Sequence, residues 1–185
     1  MMLAKKIMVA ATFAMLLAIN PLQANAADKA TSTKLTSAEV GTLATIAAID
    51  TDEIMLGVLA SNKNPSSGIA DFAKMMIDQH GSNLTQILQM VNTLHALPLT
   101  GGEADKMAAD GKKAMLTLGG LDGTQFATAY VDAMVKGHQA ALDLIDQHLM
   151  KTAKSDEVKQ FLTSTREAVS HHLEEAKKLQ AEMKA

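Results

Sequence analysis

The sequence predicts an all-α fold, a four-helix bundle with one long connection between its second and third helices. Three observations carry this. Ala, Leu and Met are abundant in a chain that is 48% hydrophobic and only 3% aromatic, and these side chains lose little rotamer freedom on a helix. Apolar residues recur at spacings of three and four along four long stretches. Capping residues, glycines and prolines punctuate those stretches where helices start and stop.

Residues 1–26 stand apart from the bundle. Lys5 and Lys6 precede an apolar run from Ile7 to Ile19, Pro21 breaks it, and Ala24-Asn25-Ala26 closes it. This is the pattern of a cleavable secretory signal peptide, with cleavage expected after Ala26. The run is shorter than the roughly 20 apolar residues that a membrane-spanning helix needs. The expectation is therefore an exported protein, periplasmic or secreted, with no integral membrane segment after cleavage. Residues 27–35 are small and polar without period and read as a disordered lead-in, so the bundle domain is expected over residues 36–185.

The first helix starts at Thr36, whose spacing to Glu39 is that of a capping box, and runs to about Ser61. Its stripe is read through Val40, Leu43, Ala47, Ile54 and Val58, and Asn62-Lys63-Asn64-Pro65 ends it. The second begins near Ser66 or Ser67, carries Ile69, Phe72, Ala73, Met76, Leu84, Ile87, Val91 and Leu94, and ends before Pro98. A short helix from about Glu103 to Leu118, flanked by Gly101-Gly102 and Gly119-Gly120, sits within the connection. The third long helix follows Thr124 with Phe126, Tyr130, Met134, Ala141, Leu142, Ile145 and Leu149 facing inward. The fourth follows the cap Ser155, with Val158, Phe161, Thr165, Val169, Leu173, Ala176 and Leu179 on its inner face. Tight links within the first and last pairs make two antiparallel hairpins, and the long link between them can climb the length of the bundle. That is the ferritin-like connectivity.

Composition excludes several functions. The absence of cysteine removes disulfides, thiolate metal sites and thiol nucleophiles. A net charge of -3 and a pI of about 6.0 give no footprint for nucleic acid. No phosphate loop, serine-hydrolase elbow or His-Glu-x-x-His motif is present.

The informative residues are histidines inside apolar stripes. His80 lies four residues after Met76 and four before Leu84. His138 repeats that register between Met134 and Leu142, and His172 falls between Val169 and Ala176. Counted from the helix starts, all three stand near mid-bundle, within about one turn of each other. On the first helix the polar residue at that level is Glu53, on a face shared with Ile46, Ile49, Leu56 and Ala60; the stripe through Ile54 and Val58 would instead turn it partly outward. Imidazoles with a carboxylate suit copper or zinc, and Met76 and Met134, each one turn before a core histidine, are candidate soft ligands. The competing expectation is three ordinary core histidines with hydrogen-bond partners. A carboxylate-bridged di-iron centre needs Glu-x-x-His on two helices, and Ile77, Val135 and Val169 stand at those positions. Ferroxidase or oxygenase chemistry is not expected. His95, His148 and His171 read as surface residues.

The segments Asp52 to Gly57, Phe72 to His80, Phe126 to His138 and His172-Leu173 resemble an exported bacterial family, domain of unknown function 4142, over about Thr36 to Leu179. The resemblance implies a ferritin-like bundle behind a signal peptide and brings Glu53, His80, His138, His172 and Leu173 onto the family motif. Gln79 and Gly137 depart from it, standing where the family carries Asp. The third-helix segment also resembles a second ferritin-like exported family, domain of unknown function 305, whose paired histidines are here Gly137-His138. The sequence thus reads as a non-catalytic stress or envelope accessory protein, with two alternatives: a periplasmic copper or zinc protein using the core histidines, or a helical module that docks an envelope partner or a second copy of itself.

Overall fold

A computed structural model of the chain describes residues 34–94 and 101–184. The signal-peptide segment, most of the lead-in and His95 lie outside the described residues. The elements are α1 (Ser37–Ser61), α2 (Ser67–Thr93), α3 (Glu103–Gly119), α4 (Gly123–Leu144), a π-helical segment (Ile145–Leu149), the short α5 (Met150–Thr152) and α6 (Asp156–Glu182). None of the helices described is long and apolar enough to cross a membrane.

The capping box forms as expected: Thr36 Oγ1 accepts from the Glu39 N–H at 3.2 Å, and Glu39 Oε2 accepts from the Thr36 N–H at 2.9 Å. Leu35, the last residue of the expected lead-in, is buried in the core with Val40 packed against the same cluster, the placement of a hydrophobic staple. Between α1 and α2 the chain reverses through Asn64, whose φ of 49° lies in the left-handed region that Asn tolerates. The two helices approach closely at Gly57, where a Cβ would stand 2.9 Å from the Ala73 carbonyl oxygen.

Polar contacts fix the helix directions. Lys63, just past the end of α1, donates to the Gly119 carbonyl at 3.1 Å and pairs with Asp122 at 2.8 Å, so α4 begins beside the end of α1. Thr42, near the start of α1, is hydrogen-bonded to Thr152 at 2.7 Å, so α5, which continues α4 through the π-helical segment, finishes beside that start. Glu39 Oε1 accepts from the backbone N–H groups of Lys154 and Ser155 at 2.9 and 2.7 Å, which seats the start of α6 there too. Hence α1 and α6 run one way, α2 and α4 the other, and α3 climbs between two parallel helices. This is the ferritin-like crossover that the link lengths predict. The crossover helix packs on α1 and touches α4, and Gly111 lets it in: a Cβ there would fall 1.9 Å from the Asp52 carboxylate.

The first-helix stripe needs correction. Val58 is exposed and Ile54 only half-buried, whereas Ile46, Glu53, Leu56 and Ala60 are buried. Contacts with α2 on one side and α3 on another rotate α1 so that the Glu53 face turns inward. The third long helix is also less regular than its period suggests, because it passes into a π-helical turn at Ile145 whose Asp146 receives the Arg166 guanidinium through bonds of 2.6 and 2.9 Å. The apolar core forms two clusters. One gathers Leu43, Ile46, Ile87, Ile145 and Leu162; the other gathers Leu56, Phe72, Met76, Tyr130 and Met134. Between them, at mid-bundle, lies a layer of buried polar side chains.

Candidate metal centre

His80, His138 and His172 meet in that layer. All three are buried, at 4%, 2% and 1% exposure, and their ring centroids are 5.1 to 5.9 Å apart. One nitrogen from each ring lies within 4.8 Å of the other two. Each remaining nitrogen is held. His80 Nδ1–H donates to Asp50 Oδ1 at 2.8 Å, His138 Nδ1–H to the Met134 carbonyl at 2.8 Å, and His172 Nε2–H to Gln79 Oε1 at 2.9 Å. These bonds leave His80 Nε2, His138 Nε2 and His172 Nδ1 as the nitrogens free for a proton or a cation, and none of them has a hydrogen-bond partner among the described residues. A buried polar atom left so costs about 1–3 kcal/mol.

Behind the rings runs a second tier of contacts. Asp50, itself 1% exposed, also accepts from Asn83 Nδ2 at 3.0 Å, and Asn83 Oδ1 accepts from the Thr165 hydroxyl at 3.1 Å. The chain Thr165–Asn83–Asp50–His80 therefore crosses three helices before it reaches the cluster. Charge is unevenly spread through it. Burial pushes the Asp50 carboxyl up, against the bonds from His80 and Asn83. For His80 burial acts downward, but the bond to Asp50 and the charges of Glu53 and Asp50 outweigh it and raise the ring above the ordinary histidine value. His138 is lowered by burial, and His172 is lowered to about 3 by burial and then by His80 and His138. At neutral pH the latter two are neutral imidazoles, the form that ligates metals.

Glu53 is buried beside the cluster at 8% exposure but does not join it. Its Oε2 and the Tyr130 hydroxyl are the other two buried polar atoms without a partner among the described residues. Burial, then the Glu53 charge, drives the Tyr130 phenol far above its usual value. Met76 and Met134 are fully buried in the apolar cluster, which gives their thioethers a packing role; Met134 contributes its carbonyl to His138. His148 and His171 are exposed, as expected of surface residues. Asp78 points away and pairs with Lys74 across the exposed face of α2.

Residues 24–179 match the family described as Domain of unknown function (DUF4142). The chain belongs to that family. No curated protein and no solved structure matches it. Within this DUF4142 chain, the di-iron centre associated with ferritin-like bundles has no place: Ile77, Val135 and Val169 occupy the positions of the bridging carboxylates. Asp50 and Asn83 are not singled out by the sequence pattern, which places Thr165 on the inner face of the last helix and Gln79 beside His80 but gives neither a partner. Asp50 nonetheless carried a signal, since it lies on the same three-four spacing as Ile46, Glu53 and Gly57. The Gln79 amide oxygen accepts from an imidazole, that of His172 on the facing helix.

Proposed function

We propose that this protein binds a borderline divalent cation, zinc or copper, through His80, His138 and His172, and that it serves outside the cytoplasm as a non-catalytic accessory that holds the ion. The observation that carries the reading is the direction of the three rings: each has its outer nitrogen tied to a fixed acceptor and its inner nitrogen free at a common point. Metal-ligating histidines are oriented in this way by carboxylates and carbonyls. A tetrahedral ion with bonds of about 2.0–2.1 Å needs nitrogens about 3.4 Å apart, so ligand nitrogens now within 4.8 Å of one another would have to draw together to hold it. Binding would displace the proton that His80 favours and would satisfy three partnerless nitrogens together. With no cysteine in the chain, imidazole is the softest strong donor present. Export rests on the Lys5-Lys6, Ile7 to Ile19 and Ala24-Asn25-Ala26 pattern.

The test is elemental analysis of protein purified without chelator or affinity tag, followed by titration with zinc and with copper(II). One ion per chain, a raised melting temperature and loss of both in His172→Ala are expected. Absence of stoichiometric metal, together with an unchanged melting temperature on adding either ion, overturns the reading. N-terminal sequencing of the protein from fractionated cells tests export, with a mature start at Ala27 expected.

A further inference from the structure

A second site lies on the opposite flank of α4 from α6, in a cavity of about 520 Å³ between α1, α3 and α4. We propose that this cavity binds a small organic amine, a protonated nitrogen carried on an apolar body. This cavity is separate from the smaller recess into which the α2–α6 side of the histidine cluster opens, lined by His80 and His172, although Glu53 borders both the cavity and the cluster.

The size is that of a small-molecule site. Its walls are apolar, with Leu56 from α1, Met107 and Ala114 from α3, and Met134 and Leu144 from α4. Its charged groups are mostly acids: Asp52, Glu53, Glu103, Asp110 and Asp143, against one lysine, Lys106. That lysine is already paired with Glu103 at 3.2 Å. Among the described residues, Asp52, Glu53, Asp110 and Asp143 form no ion pair with any lysine or arginine, so no side-chain cation of that kind neutralises these acids against the hydrocarbon walls. Glu53 supplies the independent sign of a ligand. It is 8% exposed, it lines the cavity, and its Oε2 has no hydrogen-bond partner among the described residues. A buried carboxylate without a cation or donor is costly.

The acids are too dispersed to chelate an ion: among the described residues, only the three histidines have ligand atoms close enough to share a metal. A single ammonium between Asp52 and Glu53, with its carbon chain along Met107, Met134 and Leu56, matches both the charge and the apolar wall. Gly111 allows Asp52 to lie against the α3 backbone, and at Gly137 the nearest neighbour of an added Cβ is Glu53 Oε1, 3.6 Å away.

Calorimetric titration of the purified protein with n-octylamine, 1-octanol and octanoate tests this. The expected result is saturable one-to-one binding of the amine, about tenfold or more tighter than the alcohol, since hydrogen bonds to charged groups are the stronger class, and no binding of octanoate. Asp52→Asn should weaken the amine several-fold and leave the alcohol unchanged. Ala133→Leu, with Ala140→Leu as the exposed-face alternative should the first melt low, should abolish binding of both by filling the space. Equal affinities for amine and alcohol overturn the proposal. So does unaltered amine binding in both folded filling variants, or no saturable amine binding at all, the result expected if another part of the chain occupies the cavity.

Discussion

Asp50→Asn separates a metal-positioning role from a merely structural one. In the native protein the Asp50 carboxylate accepts from His80 at 2.8 Å and from Asn83 at 3.0 and 3.3 Å. An asparagine keeps one oxygen for His80 but turns an amide N–H toward Asn83, whose own oxygen is committed to Thr165, so one donor is stranded. The imidazole also loses the charge-assisted bond that makes its inner nitrogen a better ligand. Loss of such an outer partner typically weakens metal binding about 10- to 100-fold, or roughly 1.4–2.7 kcal/mol. Stability of the metal-free protein should respond differently. The stranded amide costs about 1–2 kcal/mol, while removing a fully buried charge returns a comparable amount, leaving a net change within about 1 kcal/mol. Zinc competition against a chromophoric chelator measures the first quantity; the urea midpoint in excess chelator measures the second. Unchanged zinc affinity in the variant refutes the reasoning, and so does a loss of affinity accompanied by an equal loss of metal-free stability.

Other substitutions test other parts of the argument. Burial pushes the Glu39 carboxyl up, but the N–H groups of Ser155, Thr36 and Lys154 more than offset this and hold it at about 2, against an ordinary 4.5. Its stabilising contribution is therefore full above pH 4.5 and fades as pH falls toward 2. Glu39→Gln should lose about 3 kcal/mol at pH 7, with the gap to wild type closing between those pH values in denaturant titrations; a gap that ignores pH counts against the clasp. His138→Leu should raise metal-free stability by about 1–2 kcal/mol by removing a partnerless buried nitrogen and should abolish any thermal response to zinc, and a retained response shows that the ion sits elsewhere. Gly57→Ala should cost about 1–3 kcal/mol through its 2.9 Å clash with the α2 backbone. Gly81→Ala, which meets nothing within 4 Å, should gain about 0.5–1 kcal/mol of helix propensity; equal melting temperatures for the two would contradict the packing described.

The bundle was readable because its signals are local. Thr36 with Glu39 and Ser155 with Val158 cap their helices in the structure as their spacing implies, and the Met76-to-His80 and Met134-to-His138 registers place both rings inward without any knowledge of partners. The rotation of α1 was harder. Its apolar residues cover nearly the whole circumference, so Ile54 with Val58 and Ile46 with Leu56 made equally good stripes, and only the packing of α2 and α3 chose between them. The support of the site was illegible for a different reason. Asp50, Asn83 and Thr165 form one chain to His80, and Gln79 separately holds His172; these contacts are remote in sequence, and periodicity shows which side a residue faces but not what it meets there. The cavity beside α3 follows from how that helix lies across Asp52 at Gly111, a distance no motif encodes.

The carboxylate of Glu39 has a meaning for the order of folding. One side chain closes the first turn of the first helix and, through its other oxygen, receives the backbone of Lys154 and Ser155, next to the Thr42–Thr152 bond. Separated by 110 to 116 residues, these are the hydrogen bonds most distant in sequence among the described residues, and loop closure of that length is slow to gain. A growing or partly extended chain that has not yet delivered residue 155 can coil its first helix but cannot anchor it. Completion of the bundle is thus tied to arrival of the last helix, and the start of the first helix is among the last parts of the bundle to become secure.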